Sequence, residues 1–499
     1  MNQRIFAPRL DFSSPRSLGR ALLLASLPIW ALACSSNNNS SENDAPPDLV
    51  AGDCPGVRLP QGQHFATSGV CVRAVSNKQD ELRQLMFTPD GDLIGVRVDG
   101  SIVRYRDLNG DGVFGKITGS GTPAPGEVTV IAKTGNANGN NATLDADASF
   151  LYAGSKDGVK RWAYSATSDD LGDGEDVVTG QPSDGSHIYH TVHIYDGFLY
   201  VHSGSMSNAA FPASPDYDTN RAVLKRFDLS KFTSGTPFAW SDGEIVIQGI
   251  RNMVGFTRAP DGTMYGVVNG LDDLMYAGND VHLDNPGDEL ISIDPGKNHG
   301  YPYCFAAVHI MQGSDVVTPG TMLSSAIRNA PGVDGSDFMN PHDDSWCADN
   351  AVSPVTEMTA HSAPLDITFS DASATGLPAS LQGGAFVAVH GSWDTMPSVG
   401  HKVIFIPFDG QGNATQPMAD ANGVTYPFTT VFGGGTSGTE VDGIWGWSSG
   451  GWGENPVRPV SVAISPKDGA LYVSSDDGNI GKTSEEREGM IYRIQAGQD

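Results

Sequence analysis

From about residue 82 onward, apolar and polar side chains alternate in short runs separated by turn residues. A period of two belongs to half-buried strands, not to helices. Asp-Gly pairs punctuate the runs: Asp90-Gly91 before Leu93-Ile94, Asp196-Gly197 before Phe198-Leu199-Tyr200, Asp261-Gly262 before Met264-Tyr265, and Asp468-Gly469 before Leu471-Tyr472. Glycine accepts the positive φ that a tight hairpin demands. A second half-motif follows in six copies, namely Ile102-Val103-Arg104-Tyr105, Val159-Lys160-Arg161-Trp162, Leu224-Lys225-Arg226-Phe227, Leu290-Ile291-Ser292-Ile293, Val403-Ile404-Phe405-Ile406 and Ile491-Tyr492-Arg493-Ile494. A few short strands cannot bury both faces alone, so repeated units stack radially. The predicted architecture is all-β, a six-bladed β-propeller of four-stranded antiparallel blades in one domain over residues 53–499. Stretches near 120–140, 272–287, 305–360 and 410–455 interrupt the pattern and are expected to be loops around one channel mouth, where ligands sit.

The first 33 residues read differently. Arg4, Arg9, Arg16 and Arg20 precede a 13-residue apolar run, Ala21 to Ala33, which meets Cys34. That run is shorter than the roughly 20 residues of a membrane span, and the pattern is that of a signal peptide over 1–33. Ala31-Leu32-Ala33-Cys34 places a cysteine at the cleavage site, and lipidation of Cys34 is expected, although Leu32 stands one place away from the usual lipobox position. Simple secretion is the alternative. Residues 34–52 are polar and read as a flexible tether. The expectation is an exported protein, lipid-anchored to the cell envelope at the outer membrane or periplasmic face, otherwise periplasmic or secreted.

Without residues 1–33, which hold four Arg and one Asp, 26 basic residues stand against 57 acidic ones, a net charge of −31. Nucleic acid is thereby disfavoured as a partner. Cys54, Cys71, Cys304 and Cys347 are an even number in a chain bound for an oxidising compartment. Pairing of nearest neighbours, Cys54 with Cys71 and Cys304 with Cys347, is preferred among the connectivities that four cysteines allow.

Between residues 251 and 302 stand Arg251-Asn252, Asp261-Gly262, Asn269-Gly270, Asp288-Glu289-Leu290 and Asn298-His299-Gly300-Tyr301-Pro302. In that order they resemble the blade of the pyrroloquinoline-quinone-dependent glucose/sorbosone dehydrogenase family, with one insertion between Gly270 and Asp288. Gly185-Ser186-His187, His390-Gly391-Ser392-Trp393 and Arg458-Pro459-Val460 extend the resemblance over most of the chain beyond Cys54. The His-Gly-Ser-Trp and Gly-Tyr-Pro-Tyr-Cys variants are similar to the sorbosone and pyranose branch.

The resemblance implies a calcium-assisted quinoprotein that takes hydride from an aldose- or sorbosone-like sugar and passes electrons to a periplasmic cytochrome or quinone. It makes His187 the base that accepts the substrate hydroxyl proton, a role suited to a neutral imidazole. His190 is the alternative base on the same segment. Arg251 is implied to stabilise charge on the quinone oxygen, with an ion pair between blades as its other reading, and Asn252 to orient the cofactor or the base. Arg458, Arg251, Asn269 and His390 are the implied cofactor contacts, Arg458 through the quinone's carboxylates. Gly270 and Leu271 are implied to hold calcium through backbone carbonyls. Two departures stand out: Leu271 replaces a proline of many relatives, and no lysine stands near His390, the nearest in sequence being Lys402.

Asp107-Leu108-Asn109-Gly110-Asp111-Gly112 carries oxygen-bearing side chains at alternate positions, so Asp107, Asn109 and Asp111 read as a second, structural calcium site or as an Asx-rich hairpin. Trp445, Trp447 and Trp452, in a glycine-rich stretch, are candidates to stack on a sugar. No dinucleotide-binding unit precedes them, which disfavours nicotinamide chemistry. Two other classes remain open: a non-catalytic envelope propeller that binds glycans or a protein, and a calcium-dependent lactonase.

Overall fold

A computed structural model describes residues 54, 56–58, 64–76, 82–114, 125–135, 140–209, 220–328, 338–371, 375–392, 395, 398–434, 457–476 and 489–497. The expected signal peptide, the whole tether 34–52 with Cys34, Trp393 and the three tryptophans Trp445, Trp447 and Trp452 lie outside the described residues. Everything below concerns the unit Pro46–Asp499.

The unit is all-β, and its hairpins begin where the Asp-Gly turns predict. In sheet 1, Leu82–Phe87 turns at Asp90-Gly91 into Leu93–Arg97, followed antiparallel by Ser101–Tyr105 and Val128–Lys133. Sheet 2 runs Ala142–Leu144, Phe150–Ser155, Gly158–Ala163 and Glu175–Thr179, with Phe238–Ala239 added parallel at its edge. Sheet 3 runs Val192–Tyr195, Phe198–Ser203, Val223–Asp228 and Glu244–Gln248, with Lys297–Asn298 parallel beside the last. Sheet 4 is Gly255–Arg258, Met264–Val268, Asp288–Ser292 and Thr356–Met358. Sheet 5 is Pro364–Ser370, Gly384–Val389, Lys402–Pro407 and Thr429–Gly434, edged by His64–Ala66. Sheet 6 begins with Pro459–Ile464, Leu471–Ser475 and Met490–Ala496, and is completed from the other end of the chain by Val70–Ser76 and Val57–Arg58. Each copy of the second half-motif falls on the third strand of one of these sheets, except that Ile293 stands just past the end of Asp288–Ser292.

The third strands of sheets 1 and 5 are buried on both faces: Ser101 through Tyr105 and Val403 through Ile406 are all buried. Sheet therefore packs on sheet. Ile94 and Ile102 of sheet 1 meet Leu151 and Trp162 of sheet 2, while Phe386, Phe405 and Phe432 of sheet 5 meet Leu471 and Tyr492 of sheet 6.

Where first strands approach one another, the contacts turn polar. The Val254 carbonyl accepts from Gln84 Nε2 at 3.2 Å, Asn140 Nδ2 at 3.0 Å and the Thr191 hydroxyl, and Gln84 also donates to Leu365 at 2.9 Å. Ser461 Oγ accepts from the Leu85 amide and donates to Asp366 Oδ2. This buried hub ties residues at or just before the first strands of all six sheets into one network.

All four stretches expected to be loops carry structure: Val128–Lys133, Thr356–Met358 and Thr429–Gly434 are the fourth strands of sheets 1, 4 and 5, and Met418–Asp420 pairs with Gly423–Thr425. Leu274–Tyr276, Asn279–Asp280, Ala326–Ile327 and Phe338–Met339 form a separate small sheet, and Asp344–Asn350 is a helix capped by Asp343. Strands of two or three residues are too short to display alternation, so the pattern could not reveal them. The disulfide Cys304–Cys347 binds this insertion, and Cys54–Cys71 binds the segment before sheet 1, which is the nearest-neighbour pairing.

Candidate functional site

In an antiparallel hairpin the residues before the first strand and after the second lie at the same end. In sheets 3 to 6 that end carries nearly all the chemistry. His187 precedes the first strand of sheet 3 and Ser205 follows its second; Arg251 and Asn252 precede sheet 4, while Asn269 and Gly270 follow its second strand; His361 precedes sheet 5 and His390 follows; Arg458 precedes sheet 6 and Asp476 follows.

His187, Arg251, Asn252, Asn269 and Gly270 line one cavity of about 770 Å³, together with Asn208, Asp272, His282, Asp288 and His361. Ser205 Oγ lies 2.7 Å from His187 Nδ1 and donates its one proton to the Ser207 carbonyl at 2.8 Å. The hydroxyl can therefore only accept from the imidazole, which places a proton on Nδ1 and leaves Nε2 with its lone pair. Nε2 has no hydrogen-bond partner among the described residues. Burial, helped by the positive charge of Arg251, pushes the His187 pKa down to about 3, so the ring is neutral at ordinary pH. Gly204 makes the approach feasible: a Cβ there would stand 2.6 Å from His187 Cβ and 3.3 Å from Asn252 Oδ1.

His190 differs in its contacts. It is fully buried, with Gln181 Nε2 at 2.6 Å from Nδ1 and the Lys156 carbonyl at 3.1 Å from Nε2. Both ring nitrogens are engaged, so it braces sheet 2 against sheet 3.

Arg251 is buried and fixed from two sides, Nε donating to the Asn208 carbonyl at 3.2 Å and Nη2 to Asp272 Oδ2 at 2.8 Å. Asp272, missed in the sequence, is gripped by Asn208 through its amide at 2.8 Å and faces His361 at 3.7 Å. Burial alone would raise its carboxyl, but Arg251 and His361 outweigh that and hold it well below the usual range. Asn252 Nδ2 donates to Asn269 Oδ1 at 2.9 Å, and Asn269 donates onward to the Pro364 carbonyl. Asp288 accepts from the amides of Gly270 at 2.9 Å and Ala363 at 2.7 Å, and burial raises its pKa to about 6. The Gly270 and Leu271 carbonyls accept no hydrogen bond among the described residues, whereas the Leu271 side chain is anchored in an apolar cluster with Leu274, Tyr301 and Phe305. The buried side chain gives this loop a fixed point.

Arg458 and His390 are not among the walls of that cavity; they meet each other instead. Arg458 Nη2 donates to His390 Nδ1 at 2.9 Å, and His390 Nε2 donates to Asp476 Oδ2 at 2.9 Å. Burial works against the Asp476 charge, but His390 and Arg458 outweigh it and keep the carboxyl ionised. Arg83, also missed in the sequence, acts on both His390 and Asp476; its guanidinium lies 4.1 Å above the Tyr189 ring and Nε donates to Asn140. Lys402 lines a different hollow with Val389 and Tyr426. The cations gathered beside His390 are arginines.

Among the described residues, no three His, Cys, Asp or Glu side chains converge as a metal site. A hard cation beside the cavity would lean on main-chain oxygens such as those of Gly270 and Leu271, while the buried guanidinium groups of Arg83, Arg251 and Arg458 suit a polycarboxylate. In the turn Asp107–Gly112, Asp107 accepts from the amides of Gly110, Asp111 and Gly112, and Asp111 from that of Val113. No described helix is long and apolar enough to cross a membrane.

Comparison with known proteins agrees with this geometry. The chain is 26% identical over 444 residues to the pyrroloquinoline quinone-dependent pyranose dehydrogenase of Coprinopsis cinerea, an alignment covering 85% of this chain and 54% of that protein. It is 27% identical over 369 residues to the pyrroloquinoline quinone-dependent sugar dehydrogenase of Hypocrea jecorina, covering 71% and 77%. The chain thus spans about half the length of the pyranose dehydrogenases it matches. Its fold is that of the holo quinone domain of the Coprinopsis cinerea enzyme (TM-score 0.67, 23% identity, 89% of this chain and 99% of that one) and of the calcium structure of the Trichoderma reesei family AA12 protein (TM-score 0.68, 22% identity, 88% and 99%). The TrAA12-like family model matches residues 65–483. With that span covering most of the chain, the protein belongs to the TrAA12-like family.

Proposed function

We propose that this chain is a pyrroloquinoline-quinone-dependent dehydrogenase that oxidises an aldose- or sorbosone-like sugar with calcium beside the quinone. One observation carries the reading: a neutral histidine whose tautomer is set by Ser205 lines the same cavity as an immobilised arginine. Pyrroloquinoline quinone, when bound, supplies a hydride acceptor for the carbinol C–H. His187 Nε2 takes the hydroxyl proton of that carbinol. Arg251, held by Asp272 and Asn208, offers a fixed positive charge that needs no reorganisation during the reaction. Asn252 and Asn269 orient groups at the cavity wall. Arg458 and Arg83 would hold the quinone's carboxylates, with His390 positioning Arg458 through Nδ1, and the Gly270 and Leu271 carbonyls would hold calcium.

The six sheets are, in this reading, the six blades of one propeller, which the shared polar hub and the one-ended arrangement of site residues support. Release of electrons to a periplasmic cytochrome or quinone, export, and lipidation of Cys34 belong to the same proposal and rest on the sequence. Replacing His187 by Ala tests the core of it. Turnover of an artificial acceptor should fall by about a thousandfold, as expected for loss of a general base. The melting shift produced by quinone with calcium should persist. Undiminished turnover would remove His187 from the role, and absence of any quinone-dependent shift in the parent protein would favour a propeller that only binds glycans or a protein.

A further inference from the structure

Beside the candidate active-site cavity lies a second, larger hollow of about 860 Å³, built by the insertion that follows Gly270. His282 lines both hollows, so the two are neighbours. The walls are of two kinds. Leu283 is 61% exposed and Met311 43% exposed, and Tyr276 stands between the small sheet and Gln312. Asn279, Asp280 and Asp284 supply amide and carboxylate oxygens at the rim. Large apolar side chains left in water cost free energy unless something covers them. Among the described residues only Leu108, Val130, Leu283, Met311 and Met418 are of this kind, and Met418 belongs to the hairpin whose Asp420 carbonyl bonds His309 at the edge of the same hollow.

We infer that this hollow is a saccharide subsite that receives the second and third units of an oligosaccharide whose reducing-end residue occupies the His187 cavity. The inference rests on the sugar-dehydrogenase reading of that cavity and extends it to substrate length. The chemistry matches a pyranose: its axial C–H face lies on Leu283, Met311 and the Tyr276 ring, and its equatorial hydroxyls donate to Asp280, Asp284 and Asn279. The concave shape favours a small glycan over the flat contact of a protein partner.

The test uses the full mature chain with quinone and calcium and a panel of gluco-, xylo-, manno- and galacto-oligosaccharides of one to three units. For at least one series, kcat/KM should rise about tenfold or more from one unit to two. The double substitution Leu283→Asp with Met311→Asp, at exposed positions, should erase that rise and leave kcat/KM for the monosaccharide within about twofold. Equal kcat/KM for all lengths, or a length preference that survives the double substitution, overturns the subsite. Calorimetry of the quinone-free protein with the trisaccharides separates the two levels of argument. Binding that the double variant loses, in a protein that oxidises no sugar, keeps the subsite and sinks the dehydrogenase reading; absence of both binding and length preference sinks the subsite.

Discussion

Ser205 occupies a position that the motifs did not single out, yet it decides which nitrogen of His187 can act. Its hydroxyl proton is committed to the Ser207 carbonyl, so it can only accept from the ring. In Ser205→Ala the Nδ1 proton loses its acceptor and the other tautomer becomes competitive. A drop in kcat of about tenfold or more is expected, with little change in KM or in the quinone-induced melting shift. Ser205→Thr should restore most of it; a kcat within twofold of the parent in the alanine variant would show that Ser205 does not set the tautomer. A related expectation concerns acid. The base loses its lone pair only as pH approaches its lowered value of about 3, so kcat/KM should stay flat from neutral pH down to about 4 if His187 alone governs the acid limb. A break near 6.5 would place the base in an ordinary, hydrated setting instead.

At the scale of elements, the joint between sheets 5 and 6 carries a buried acid. Asp366 accepts from Ser461 Oγ, the Val462 amide at 3.1 Å and the Ile367 amide, and burial raises its pKa to about 7. The folded value lies above the unfolded one, so the contribution is fully present below about pH 4 and is lost as pH rises through about 7. Asp366→Asn should cost about 1–3 kcal/mol at low pH by turning a donor toward an amide. It should also abolish this part of the decline, so that the gap between variant and parent narrows toward pH 8 in urea titrations; a gap independent of pH would mean that Asp366 is ionised throughout. The same joint shows what the sequence could and could not say. Strands of five to seven residues with Asp-Gly turns were legible because alternation needs that length to register, and His187, Arg251, Asn252, Asn269 and Gly270 were legible because they stand in ordered motifs and meet in one cavity. Ser205, Asp272, Asp476 and Arg83 were not, since each works through a partner distant in sequence. A positional rule would have found two of them: Ser205 and Asp476 each stand within two residues of the end of a second strand, at the site end of their sheets. The insertion stayed hidden because its strands are too short to alternate and its helix is a single capped turn or two.

For the molecule as a whole, the decisive element is Val70–Ser76, which lies beside Met490–Ala496 and buries Val70, Val72 and Ala74 against Phe386, Leu471 and Tyr492. Removing residues 54–76 should strip sheet 6 of Val57–Arg58 and Val70–Ser76 and sheet 5 of its edge strand His64–Ala66, and open the cluster between the two sheets. Thermal unfolding should then become broad and begin at lower temperature, with aggregation through the exposed edge; an unchanged sharp transition would make the strand dispensable. This pairing of early and late segments also orders events in time. A ribosome releases Val70–Ser76 near the start of the described chain and Met490–Ala496 at its end, so for nearly the whole of synthesis this strand has only the two-residue Val57–Arg58 beside it. A chain delivered through a narrow membrane pore in the same direction would meet that delay again on the far side, and an under-paired apolar strand waiting there is a natural client for a holding chaperone.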